Sequence, residues 1–201
     1  MANKVTLLIG ILFFVVSCQP SYSPIEYMNK MEDVENGLIQ KKSISGVEIK
    51  AFYKTCDYNM LKELGPENMN DSLQVNAYKL SNGALQFYEL NISTDSVDFI
   101  EKQSANNQDY HNQLYYFTFS FQNDIKLIYP GKDTLTPIIY HFERAYSLSN
   151  KKKMLLAFSL PEKNEGDCIL EIDSRLLPTG VVNLYFSEKD IDKANKTQLK
   201  Y

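Results

Sequence analysis

The sequence predicts a mostly β protein, an antiparallel β-sandwich with a few short peripheral helices. Three observations predict it. Fourteen Tyr and eleven Phe with no Trp, beside many Ile, Val, Leu and Thr, favour strands over helices. Between Leu114 and Phe186 six short apolar runs are separated by turn residues, the spacing of a sandwich rather than of a parallel α/β sheet. In one of them, Leu114 to Gln122, Tyr115, Phe117, Phe119 and Phe121 alternate with Tyr116, Thr118, Ser120 and Gln122, which predicts a half-buried central strand with Phe119 in the core.

The first eighteen residues stand apart from the rest. Lys4 supplies a positive start, and Val5 to Val16 form a twelve-residue apolar run broken only by Thr6 and Gly10. As a helix that run spans about 18 Å, against a hydrocarbon core of about 30 Å, so it is too short for a transmembrane anchor. Its length and the small Ser17 before Cys18 are those of a secretory signal. Val15-Val16-Ser17-Cys18 resembles a bacterial lipobox. That resemblance implies cleavage by a lipoprotein signal peptidase and a lipid on Cys18, and Gln19 in place of Asp argues against retention at an inner membrane. The expected domains are therefore 1–17, a signal peptide; 18–23, a lipidated tether; 24–187, a single sandwich with an N-terminal helix and hairpin; and 188–201, a charged tail. The expected location is the bacterial cell envelope, at the outer membrane, with membrane contact through Cys18.

After Cys18 the elements are read in order. Pro24 suits the first turn of a helix, and Ile25, Met28 and Met31 recur near helical spacing up to Gly37, predicting a helix over 24–35. Leu38 to Ile44 and Val47 to Thr55 are strand-like runs joined at Ser45-Gly46, with Val47, Ile49, Ala51 and Tyr53 on one face. Asp57 can cap a helix from Tyr58 to Leu64, stopped by Gly65 and Pro66. Residues 67–72 read as a loop. Leu73, Ala77 and Leu80 suit the apolar stripe of a further helix, whereas Asn82-Gly83 before the strand Ala84 to Ile92 suits a hairpin; the helix is the favoured expectation. Asp95 to Asn112 is polar and reads as a long loop with a helical turn near Val97 to Ile100. Strands follow at Ile125 to Tyr129, Thr136 to Arg144, Lys153 to Leu160, Cys168 to Asp173 and Val181 to Phe186, and the tail from Glu188 to Tyr201 is expected to fray after a short helical turn.

From Tyr115 onward the order of motifs resembles a group of uncharacterised exported lipoproteins with an immunoglobulin-like sandwich. The residues that carry it are Leu114-Tyr115-Tyr116-Phe117, Tyr140-His141-Phe142-Glu143-Arg144 and Pro178 to Phe186. The resemblance implies the fold and the location, and carries no activity.

Composition limits the function. Without the first seventeen residues the chain keeps 184 residues, with 20 basic against 25 acidic side chains and a net charge of −5. That is enough for one core and gives no basic footprint for nucleic acid or for anionic lipid headgroups. There is no GxSxG elbow, no phosphate loop and no HExxH, and only two histidines. No cofactor is expected. Cys56 and Cys168 either form a disulfide, as export permits, or remain free, with Cys168 facing a core beside Leu170 and Ile172. His141 and Glu143 share one strand face beside Arg144 and could orient a ligand or a cation. A metal ion needs three or four ligating side chains, so a solvated pair on the strand face is the favoured expectation. Asp71-Ser72-Leu73, Asp95-Ser96-Val97 and Asp133-Thr134-Leu135 resemble an O-glycosylation acceptor of exported proteins. The expected function is a non-catalytic, lipid-anchored binding or interaction module with an envelope protein as partner. The alternatives are a small glycan-directed hydrolase using an Asp/Glu pair, or a carrier of a small apolar ligand.

Overall fold

The computed structural model describes residues 20–94, 100, 104–143, 150–161 and 166–200. The signal segment, Cys18, Arg144, Asp95-Ser96-Val97 and most of the turn expected near Val97 lie outside the described residues. Among the described residues no helix is long and apolar enough to cross a membrane.

The fold is mostly β, with antiparallel sheets and a few helices. A short strand β1 (Ser21–Tyr22) leads into helix α1 (Pro24–Glu32). Ser23 begins α1: its backbone N–H and hydroxyl both donate to Glu26 Oε2, at 3.0 and 2.6 Å. Tyr27 and Met31, one turn apart, are buried, and the Tyr27 hydroxyl lies 2.7 Å from Thr55 Oγ1. Strands β2 (Ile39–Ile44) and β3 (Val47–Lys54) form the expected hairpin. Its two-residue turn needs positive φ at both positions, and Ser45 and Gly46 supply 53° and 76°. Val47, Ile49, Ala51 and Tyr53 share the buried face.

Helix α2 (Cys56–Leu64) starts earlier than the sequence suggested. Its cap is Thr55, whose Oγ1 accepts from the Tyr58 N–H at 3.0 Å, and Asp57 sits inside the first turn. Helix α3 (Ser72–Asn82) is capped by Asp71, which accepts from the Leu73 and Gln74 N–H groups. The stripe expected on α3 is reversed: Leu73 and Leu80 are 80% and 89% exposed, while Val75 and Tyr78 are buried.

Strand β4 (Leu85–Thr94) is central, and helix α4 (Asn107–Tyr115) follows where a loop was expected. The predicted strand from Leu114 to Gln122 is instead helical. α4 widens into a π-turn over Tyr116–Ser120 and tightens into a 3₁₀ turn over Phe121–Asp124. In a helix, alternating aromatics divide into two pairs four residues apart on different sides. Phe117 and Phe121 are fully buried with ring centroids 5.2 Å apart, and Tyr115 and Phe119 pair outside at 5.0 Å with their rings tilted. Phe119, expected in the core, is 53% exposed.

The remaining strands are β5 (Ile125–Ile128), β6 (Thr134–Leu135), β7 (Ile139–Glu143), β8 (Lys151–Ser159), β9 (Cys168–Ile172) and β10 (Val182–Phe186). One antiparallel sheet has the order β2-β3-β4-β8-β7, and a second has β10-β9-β5-β6. They share one core. Tyr88 of β4 meets Phe158 of β8 at 5.7 Å and reaches across to Phe186 of β10 at 5.2 Å, in edge-to-face contacts. The C-terminal segment does not fray. Helix α5 (Glu188–Asn195) packs against the end of the sandwich, and β11 (Gln198–Leu199) pairs in parallel with β1, with Lys200 N–H donating to Tyr22 O at 2.8 Å.

Candidate functional site

At one end of the sandwich the ends of β3 and β8, the starts of β4 and β9, the residue after β5 and helix α5 surround a cleft of about 230 Å³. Tyr53, Gln86, Tyr129, Glu188, Asp192 and Asn195 supply its polar groups. Gln86 occupies an inward position of β4, in step with Tyr88, Leu90 and Ile92, and is buried. A buried amide must find partners. Gln86 Nε2 donates to Ser159 O at 2.9 Å and to the Tyr129 hydroxyl at 3.0 Å, and the same hydroxyl lies 3.1 Å from Gln86 Oε1. Behind it the Tyr88 hydroxyl lies 3.5 Å from both Gln86 Oε1 and Cys168 Sγ. On the helix side, the Tyr53 hydroxyl donates to Asn195 Oδ1 at 3.1 Å.

The chemistry of this arrangement is that of neutral donors and acceptors. Burial pushes the Tyr53 phenol up to about 12 and raises Tyr88 well above the ordinary phenol value, so both stay protonated at neutral pH. Burial likewise pushes the Cys168 thiol up, the reverse of what a nucleophilic cysteine needs. Cys56 and Cys168 are both free thiols: Cys56 opens α2, and Cys168 faces the core from β9. Glu188 and Asp192 stand one turn apart on α5, and Asp192 is held by Lys196 at 3.3 Å.

The other candidate cluster lies elsewhere, on the exposed face of the five-stranded sheet. His141 and Glu143 project there from β7, while Phe142 faces the core. Glu143 bonds its cross-strand partner Lys153 at 2.9 Å. Lys153 also reaches Glu89 at 3.6 Å, and Glu89 bonds Lys54, so ion pairs cross four strands. This engages Glu143 in a surface ladder. Among the described residues no group of three or more His, Cys, Asp or Glu side chains could hold a metal ion. Of the three glycosylation-like motifs, Ser72 opens α3 and Thr134 lies in β6, both exposed.

No protein-family model matches the chain, and no curated protein matches it. Two solved bacterial structures resemble it at a distance. One is a protein of unknown function from Burkholderia pseudomallei, 12% identical, aligned over 87% of this chain and 89% of that one with a TM-score of 0.40. The other is a DUF4426 family protein from Pseudomonas aeruginosa PAO1, 5% identical, aligned over 75% and 94% with a TM-score of 0.38. Neither brings an activity to this chain.

No motif or spacing in the sequence marks the cleft residues as a site. A signal for one of them was present: in the run Ala84 to Ile92, Gln86 has the same parity as Tyr88, Leu90 and Ile92, which marks a polar group on a buried face. Asn195 and Tyr129 carry no such signal, because their place depends on how α5 and the end of β5 meet in space.

Proposed function

We propose that this chain is a non-catalytic binding module of the bacterial cell envelope, an immunoglobulin-like sandwich held to the outer membrane by a lipid on Cys18. The cleft is its recognition site. The observation that carries the binding reading is the pairing of Gln86 with Tyr129 at the cleft, a fixed neutral hydrogen-bonding surface with protonated phenols and an unactivated thiol around it. At about 230 Å³ the cleft is smaller than the roughly 300–1,000 Å³ of ordinary ligand pockets, so it suits one side chain of a partner or a small polar group. Glu188 and Asp192 at its edge favour a group that donates hydrogen bonds. The lipid anchor is supported by the run from Lys4 to Cys18 and by the short tether before β1.

The hydrolase alternative has Glu188 and Asp192 as its carboxylates. They project from one helix on one wall, whereas glycoside hydrolysis needs carboxyls flanking the scissile bond. The carrier alternative needs space between the sheets, where Tyr88, Phe158 and Phe186 are packed edge to face.

The test is mild-detergent purification from the native envelope of wild type, Cys18→Ser and Tyr129→Phe. We expect a near-stoichiometric partner with the wild type, lost in Tyr129→Phe although that variant keeps its fold by circular dichroism. A protein that purifies alone and cleaves envelope glycan overturns the binding reading.

A further inference from the structure

A second cavity, of about 330 Å³, opens where the chain enters the fold. Pro20, Tyr22, Lys30, Lys193, Lys196 and Thr197 line it. Lys30 Nζ sits 4.9 Å from the centre of the Tyr22 ring, and among the described residues neither Lys30 nor Lys193 forms an ion pair with a carboxylate. Lys196 bonds Asp192 at 3.3 Å yet keeps 68% of its side chain exposed. On the elements that carry these lysines, Glu26 is bonded to Ser23 and Asp190 packs against Gly37. The cavity therefore presents ammonium groups beside one aromatic ring, in a chain whose overall charge is negative.

Its position follows from the strand pairing. β1 and β11 run in parallel with Ser21 opposite Gln198, which brings the residue before Ser21 alongside Thr197. Cys18 is two residues from Pro20, and two residues of chain reach at most about 7 Å. A lipid on Cys18 then holds the bilayer surface against this cavity.

We infer that the face formed by Lys30, Lys193 and Lys196 is the membrane-apposed face of the anchored protein and binds the phosphates of anionic lipid headgroups. The inference rests on the lipid-anchor reading. Lysines within a Debye length of an anionic bilayer are attracted to it, while the acidic remainder of the molecule is repelled. The lipid supplies the attachment, and the lysines set which way the domain faces. Tyr22, an aromatic with a polar tip, is suited to the headgroup layer beside them.

The full-length protein, expressed with its own leader and purified in detergent, is weighed intact. It is then reconstituted into phosphatidylcholine vesicles with or without phosphatidylglycerol and treated with a water-soluble acetylating reagent. Relative to Lys126, on a distant strand, labelling of Lys30, Lys193 and Lys196 should fall roughly fivefold on the anionic vesicles, the ratio expected from headgroup attraction on one lysine. High salt should remove the protection. Equal labelling of an acylated protein on both vesicles overturns the headgroup inference and leaves the anchor standing. A mass without acyl chains overturns the anchor reading, and this inference with it.

Discussion

Phe117 and Phe119 are two residues apart and have opposite surroundings. Phe117 is fully buried against Phe121 and Phe142, whereas Phe119 shares the surface with Tyr115. Phe117→Ala should cost about 3–5 kcal/mol and Phe119→Ala under about 1 kcal/mol in urea unfolding. Equal losses would place the aromatic run on a strand. The sequence could not separate these outcomes, because residues alternating with period two also contain period four, and only tertiary packing chooses between them. Gln86 was more accessible to sequence reasoning. Its amide satisfies Ser159 O and the Tyr129 hydroxyl, so Gln86→Ala should cost about 1–3 kcal/mol through the groups it leaves unpaired, again read by urea unfolding.

Hairpin β2–β3 was readable because its information is local: a Ser-Gly turn, positive φ at both residues and burial that alternates from Val47 to Ala51. The ion-pair ladder across β3, β4, β8 and β7 was not, because its members come from strands far apart in sequence. Its centre is Glu89. Burial pushes this carboxyl up, but hydrogen bonds from Lys54 and Asn91 and the charges of Lys54 and Lys153 outweigh that and hold it below its ordinary 4.5. A carboxyl depressed in the folded state contributes stability above its unfolded value and loses it as pH falls through the folded one. Stability measured from about pH 6 to about pH 3 should therefore fall more steeply for wild type than for Glu89→Gln. Parallel curves would show the ladder to be energetically idle.

Most strands of the two sheets were legible as alternating runs between turns, and their order within the sheets was not. β5 lies beside β9 and β4 beside β8, pairings that no local pattern announces. The order of the C-terminal segment was hidden in the sequence for a related reason. Among its charges, Ile191, Ala194 and Leu199 are the residues that meet the core. The same distances decide the cysteines: Cys168 Sγ faces the Tyr88 hydroxyl at 3.5 Å, and both thiols are free. Added reductant should leave the melting temperature unchanged, and two thiols should titrate in denaturant. A fall in melting temperature with reductant would show a stabilising disulfide.

The pairing of β1 with β11 also makes the described chain close on itself, with Pro20 and Lys200 brought to one corner of the molecule. In topological terms it is a ring cut at that corner. A short peptide joining the two ends, with new termini opened in the exposed Pro130-Gly131 turn, should give a circular permutant that keeps both sheets and the cleft intact.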